Sequence, residues 1–175
     1  FLYISPTGVD SPSCTELSPC KTLSHTIQQA TPFSTIKVLN GNYDYFGNTN
    51  IFLNKSIVIQ GESDSTFSCD EFGVFSVASN ISLTFENIKF INCNYVVKSE
   101  ESIQDLILQL INVNTENCFN VISLIGSELS IEIQQSKFEK ILNSTINLIN
   151  NDENVNNFIS IHSSVFEKCD LNAGL

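Results

Sequence analysis

Apolar positions in the second half of the chain recur as blocks. Four segments align without internal gaps: Ile81–Cys93 (ISLTFENIKFINC), Leu106–Cys118 (LILQLINVNTENC), Leu129–Ile141 (LSIEIQQSKFEKI) and Asn157–Cys169 (NFISIHSSVFEKC). The fifth residue is apolar in each (Phe85, Leu110, Ile133, Ile161), the tenth is Phe90, Thr115, Phe138 or Phe166, and the thirteenth is Cys93, Cys118, Ile141 or Cys169. Alternation through Ile81, Leu83, Phe85 and through Leu129, Ile131, Ile133 puts one face of each strand inside and the other in water. Shorter apolar runs lie between the blocks, at Val74–Val77, Tyr95–Val97, Val121–Ile125 and Ile146–Ile149. Each period therefore carries about three strand-like pieces separated by polar Asn, Ser, Glu or Asp corners, and successive fifth residues stand 25, 23 and 28 apart.

This period predicts an all-β fold, a right-handed parallel β-helix with three strands per coil. A leucine-rich repeat would need its leucine and asparagine consensus and a helical back, and neither is present. A sandwich places turn signals at similar intervals but does not explain a gapless block at one coil period. Upstream, Ser56–Gly61 and Phe67–Cys69 repeat the pattern, and Ile36–Leu39 with Gly41-Asn42-Tyr43 reads as the first strand and its turn. About five to six coils result, roughly 25 to 30 Å of stacked height.

Residues 36–175 are thus expected to form the coils and residues 1–35 an N-terminal cap. Within the cap, Ser18 as N-cap, Pro19 at the first helical position and a stripe of Leu23, Ile27 and Ala30 predict a short amphipathic helix over the open end of the first coil. The chain ends on Asn172-Ala173-Gly174-Leu175 just after a block, so further coils or a docked subunit are expected beyond residue 175.

Composition narrows the function. The chain has 175 residues, 21 Asn, 21 Ile, no Met and no Arg; its 8 basic residues are all Lys and its formal net charge is −11. Acidity with so few cations argues against nucleic acid or an anionic membrane as partner. No apolar run approaches the roughly 18 to 20 residues that span a bilayer, so no membrane insertion is expected. The carboxylates fall singly or in corner pairs (Asp70-Glu71, Glu100-Glu101, Asp152-Glu153), and His25 and His162 read as surface residues without a partner at zinc-ligand spacing. No catalytic, metal or cofactor site is expected from these residues.

Cysteines and asparagines say more. Cys14 and Cys20 flank a short polar loop that readily closes a disulfide. Cys69, Cys93 and Cys118 read as equivalent places on successive coils, about 4.8 Å apart, which fits either a ladder of buried thiols or one disulfide between neighbours. Cys169 lies two coils beyond Cys118, too far to bond it. Asn87 and Asn112 share one corner, continued by Gln135 and Ser163, and predict a stacked ladder of side-chain amides. Three sequons, at Asn54, Asn80 and Asn143, each precede a strand at an exposed corner and predict N-linked glycans, in keeping with a disulfide-forming, secreted chain.

Tyr3-Ile4-Ser5-Pro6-Thr7-Gly8-Val9-Asp10, then Ser18-Pro19-Cys20-Lys21-Thr22-Leu23 with Ile27 and Ala30, and Thr35 to Tyr43 (TIKVLNGNY) together resemble the opening of extracellular pectin-lyase-like β-helix repeat proteins of social amoebae and other protists. The resemblance implies a right-handed β-helix that is secreted or displayed at the cell surface. Pectate-lyase-type relatives use Asp-held Ca²⁺ and an arginine base, and polygalacturonase-like relatives an adjacent Asp pair with Gly-His-Gly. Neither set is present. The expectation is a non-enzymatic extracellular glycoprotein module with a structural or adhesive role, able to stack end to end into a filament, its partners other copies of itself or extracellular protein or glycan. The alternative is a carbohydrate-binding or polysaccharide-degrading protein. Sugar binding would need exposed aromatics in line; Tyr3, Tyr43, Tyr45 and Tyr95 are the candidates, with Tyr43 and Tyr95 reading as turn fillers.

Overall fold

The structure, a computed structural model, describes residues 1–150, 152 and 155–169. The expected continuation or docking at the chain end, and Glu153 of one acidic pair, lie outside the described residues. The cap contributes β1 (Leu2–Ile4) and α1 (Leu23–Gln29). The first coil holds β2 (Ser34–Val38), β3 (Gly41–Tyr43) and β4 (Ile51–Leu53), and the second β5 (Ile57–Gly61), β6 (Ser65–Ser68) and β7 (Gly73–Val77). The third is β8 (Ile81–Glu86), β9 (Lys89–Ile91) and β10 (Tyr95–Gln104), and the fourth β11 (Leu106–Ile111), β12 (Asn114–Glu116) and β13 (Asn120–Ser127). The fifth is β14 (Ser130–Gln134), β15 (Lys137–Glu139) and β16 (Ser144–Ile149), followed by β17 (Phe158–His162) and β18 (Val165–Glu167).

Strands of one rank pair only with the same rank in neighbouring coils, always in parallel. Three sheets result: β1-β2-β5-β8-β11-β14-β17, β3-β6-β9-β12-β15-β18 and β4-β7-β10-β13-β16. This is a parallel β-helix of five complete coils. The block alignment is the observed register, with Phe85 opposite Leu110, Leu110 opposite Ile133, and Ile133 opposite Ile161. Each block covers two of the three strands of its coil, because its seventh residue turns the corner.

That corner explains the asparagines. Asn87, Asn112, Gln135 and Ser163 all have φ between 50° and 55°, and so do, within a few degrees, Asn92, Asn117, Lys140 and Lys168 at the next corner. Left-handed backbone penalises most side chains, and Asn tolerates it better than other non-glycine residues. Periodic polar corners thus break the chain into strands short enough to coil.

The interior is a set of like-on-like stacks. Tyr43, Phe67, Phe90, Thr115, Phe138 and Phe166 follow one another through the second sheet. Tyr43 is buried on β3, its hydroxyl donating to the Ile4 and Leu39 carbonyls, and Tyr95 is buried at the start of β10. Both are strand residues facing the core, not turn fillers.

The helix starts four residues later than Ser18 predicts. Thr22 is the N-cap, its side chain accepting from the His25 amide. Ser18 and Cys20 are held extended: the Cys20 amide donates to the Tyr3 carbonyl, and Cys20 bridges Ile4. Asp10 accepts the Lys21 and Thr22 amides and the Thr22 hydroxyl, and Asn48 accepts the Leu23 amide, so the helix end is satisfied from across the fold. At the other end the Lys55 ammonium donates to the Ile27 and Ala30 carbonyls. The cap also enters the first sheet, where β1 pairs with β2.

Candidate functional site

The outer faces are built of side chains that bond along the stack. On the first sheet, Lys37 reaches Gln60, and the Gln60 amide donates to Glu86. Further along, the Thr84 hydroxyl donates to Gln109, and Gln109 and Gln134 both donate to Glu132. These two donors hold the Glu132 carboxyl below the usual carboxylate range. His162 is exposed on the same face, 2.7 Å from the Ser160 hydroxyl.

The second sheet carries charge instead. Lys89 and Lys140 flank Glu116 at 3.0 and 3.1 Å, and Lys137 bridges Glu139 and Glu167. Hydrogen bonds from Lys89 and then Lys140 draw the Glu116 carboxyl down, as Lys137 does for Glu139. At the corner before the first sheet, like charges meet: the Asp105 carboxylate pushes Glu128 up, with a smaller push from Asp152. Nothing neutralises that pair by a lysine among the described ion pairs.

The amide ladder predicted at Asn87 and Asn112 is present as a bond of 2.9 Å from the Asn112 amide to Asn87 Oδ1. A second ladder, Asn117 to Asn92 at 2.7 Å, stands at the following corner. Its signal was in the sequence at the twelfth block position. Asn54, Asn80 and Asn143 are all exposed ahead of β5, β8 and β16. Asn54 and Asn80 share a corner on adjacent coils, where the Ala78 amide donates to the Leu53 carbonyl, and the Asn143 amide donates to Asn120.

Cys14 and Cys20 form a disulfide, and so do Cys69 and Cys93, with Cα atoms 4.7 and 4.8 Å apart. The places are not fully equivalent. Ser68 and Glu116 both pair with Ile91, so Cys93 and Cys118 share one register position and Cys69 stands one residue earlier. Cys118 is free and buried, and burial pushes its thiol up to about 11. Cys169 is free and half-buried. His25 is half-buried rather than on the surface, its Nε2 lying 2.9 Å from the Ser11 carbonyl and close to the sulfurs of Cys14 and Cys20. The sequence hid this because the disulfide loop folds back over the helix. With both sulfurs oxidised, the group is not a metal site.

One groove of about 470 Å³ opens at the corner between the second and third sheets, lined by Asp70, Glu71, Asn92, Cys93, Phe119 and Leu142 among others. Tyr45, Phe72 and Phe119 stand at this same corner on the first, second and fourth coils, each between 42% and 47% exposed, and the Tyr45 and Phe72 rings lie 5.4 Å apart. Exposed aromatics in line therefore exist, but only Tyr45 belongs to the expected set.

Coils of this form, with three parallel sheets and amide-laddered corners, define a parallel β-helix. The chain is similar in fold to a solved rhamnogalacturonan lyase, with a TM-score of 0.56 and 17% identity over 96% of this chain and 50% of that one. It thus spans about half the length of that lyase, and at this identity the likeness establishes the fold alone. No family model and no curated protein matches the chain in sequence. Among the described residues, no helix is long and apolar enough to cross a membrane.

Proposed function

We propose that the chain is a non-enzymatic extracellular module with a structural and adhesive role, a rigid β-helix rod in a cell-surface or matrix glycoprotein of the kind its N-terminal residues resemble. The observation that carries this reading is that the carboxylates of the two polar faces are spent on coil-to-coil bonds. Glu86, Glu116, Glu132 and Glu167 each bond a Gln or Lys of the coil before, which stiffens the rod and leaves them without convergence on a substrate. Two disulfides fit an oxidising compartment. Glycans at Asn54, Asn80 and Asn143 would dress two of the corners.

The two ends differ. Leu23 and Ile27 of α1 join the core at the first coil, whereas Phe166 on β18, the last strand of its sheet among the described residues, is 40% exposed. End-to-end stacking of copies belongs to this reading, since parallel strand edges of a rod are surfaces on which a second copy can add strands. The test is electron microscopy of protein from its native source together with an assay for new reducing or unsaturated sugar ends. Rods or filaments without turnover are expected, and clear turnover on any polysaccharide overturns the reading.

A second reading, carbohydrate binding, is favoured by the aromatic line at Tyr45, Phe72 and Phe119 beside the groove. Phenyl faces and side-chain amides are the usual sugar contacts. Glycan binding abolished by Phe119→Ala, with the rod intact, would support it, and binding unchanged in that variant would sink it.

A further inference from the structure

Three cysteines stand on consecutive coils at the corner after the second sheet, and two of them are bonded. Cys69 and Cys93 form the disulfide. Cys118 occupies the register place of Cys93 one coil on, a Cα step of about 4.8 Å, inside the range that a disulfide bridges. The Cys93 amide donates to the Cys118 sulfur at 3.4 Å. That bond holds the free thiol against the bonded cysteine.

We propose that Cys93 is the pivot of an internal thiol–disulfide exchange with Cys118. The Cys118 thiolate attacks the Cys93 sulfur. A Cys93–Cys118 bond forms as the Cys69–Cys93 bond breaks, and Cys69 leaves as a thiolate that takes up the proton Cys118 gave up. One disulfide is consumed and one is made, so the step needs neither oxidant nor reductant.

The consequence is a clamp that moves along the rod. In one state it ties the second coil to the third, and in the other the third to the fourth. Asp70 and Glu71 follow Cys69 directly, at φ of 48° and 68°, and both line the groove with Cys93. Exchange therefore releases one wall of the groove from its covalent tether. Because burial raises the Cys118 thiol to about 11, the thiolate is scarce at neutral pH, and the rate should rise about tenfold per pH unit below that value.

Trypsin separates the participants, since cleavage after Lys55, Lys89, Lys98 and Lys137 places Cys69, Cys93 and Cys118 in peptides 56–89, 90–98 and 99–137. Folded oxidised protein is held without added thiol at pH 7 to 10, quenched in acid, alkylated and digested unreduced. Label should begin on Cys118 and Cys169 and appear on Cys69 with time, while 90–98 becomes linked to 99–137. The rate should be independent of protein concentration, and Cys118→Ala should keep the 56–89 link at every pH. Label confined to Cys118 and Cys169 throughout, or Cys69 released with Cys169 engaged instead, overturns the proposal.

Discussion

Thr115 lies in register with Phe90 and puts a hydroxyl where the neighbouring coils put a ring. Phe138 stands in register on its other side. Thr115 is 1% exposed, and its Oγ1 has no hydrogen-bond partner among the described residues. A buried unsatisfied hydroxyl costs roughly 1 to 3 kcal/mol, and Val has nearly the same shape without one. Thr115→Val should stabilise the protein by about 1 kcal/mol, read as a higher urea midpoint. A lower midpoint would mean that the hydroxyl has a water partner inside the coil.

Asn112 carries two separable burdens. Its backbone is left-handed, with φ 52°, and its amide bonds Asn87. Asn112→Ala loses both the bond and the tolerance of that backbone and should destabilise by about 2 kcal/mol. Asn112→Gly keeps the backbone freedom and loses only the bond, so it should cost about half as much. Equal losses in denaturant midpoint would show that the hydrogen bond carries the whole effect.

Legibility in the sequence followed how local each cause was. Phe85, Leu110, Ile133 and Ile161 announced their register because each block repeats the same strand, corner and strand. The Cys14–Cys20 bridge was legible for the same reason, since six positions of chain close it. Ser18-Pro19 carried an equally local helix signal and lost, because Cys20 is paired with β1 and the amides of Lys21 and Thr22 are bound by Asp10. The aromatic line went unread because Phe72 and Phe119 sit between blocks, where corner length varies. Ser68 to Gly73 takes five steps where Ile91 to Tyr95 takes four. Cys69 stands two residues after Phe67 where Cys93 stands three after Phe90, so it falls one place short of the Cys93 position.

Gly73 and Tyr95 are opposite one another on β7 and β10. A Cβ built on Gly73 would fall 1.8 Å from the Tyr95 ring, so glycine is needed there for room, not for a turn. Gly73→Ala should destabilise by about 2 to 3 kcal/mol through overpacking. Tyr95→Ala alone should also destabilise by leaving a void. The double variant should lose less than the sum of the two, because each change relieves the other. Strict additivity in a double-mutant cycle would sink the steric account.

Glu116 and Glu128 make opposite predictions for acid. Hydrogen bonds from Lys89 and Lys140 depress Glu116 in the fold, so its contribution is present above its unfolded value of about 4.3 and is lost as pH falls through the lower folded value. The Asp105 carboxylate raises Glu128, so its ionisation opposes folding at neutral pH and protonation relieves that as pH falls through the raised value. Thermal melts between pH 7 and pH 3 should therefore find Glu116→Gln below the natural chain at pH 7 and level with it at the acid end. Glu128→Gln should lie above it at pH 7 and converge on acidification. Both groups face solvent, so the shifts should be a few degrees at most and shrink in 0.5 M salt (about a 4 Å screening length). If Glu116→Gln melts with the natural chain across the whole range, the lysine pair around Glu116 contributes nothing to the stack, and its bonds are surface contacts of no energetic weight.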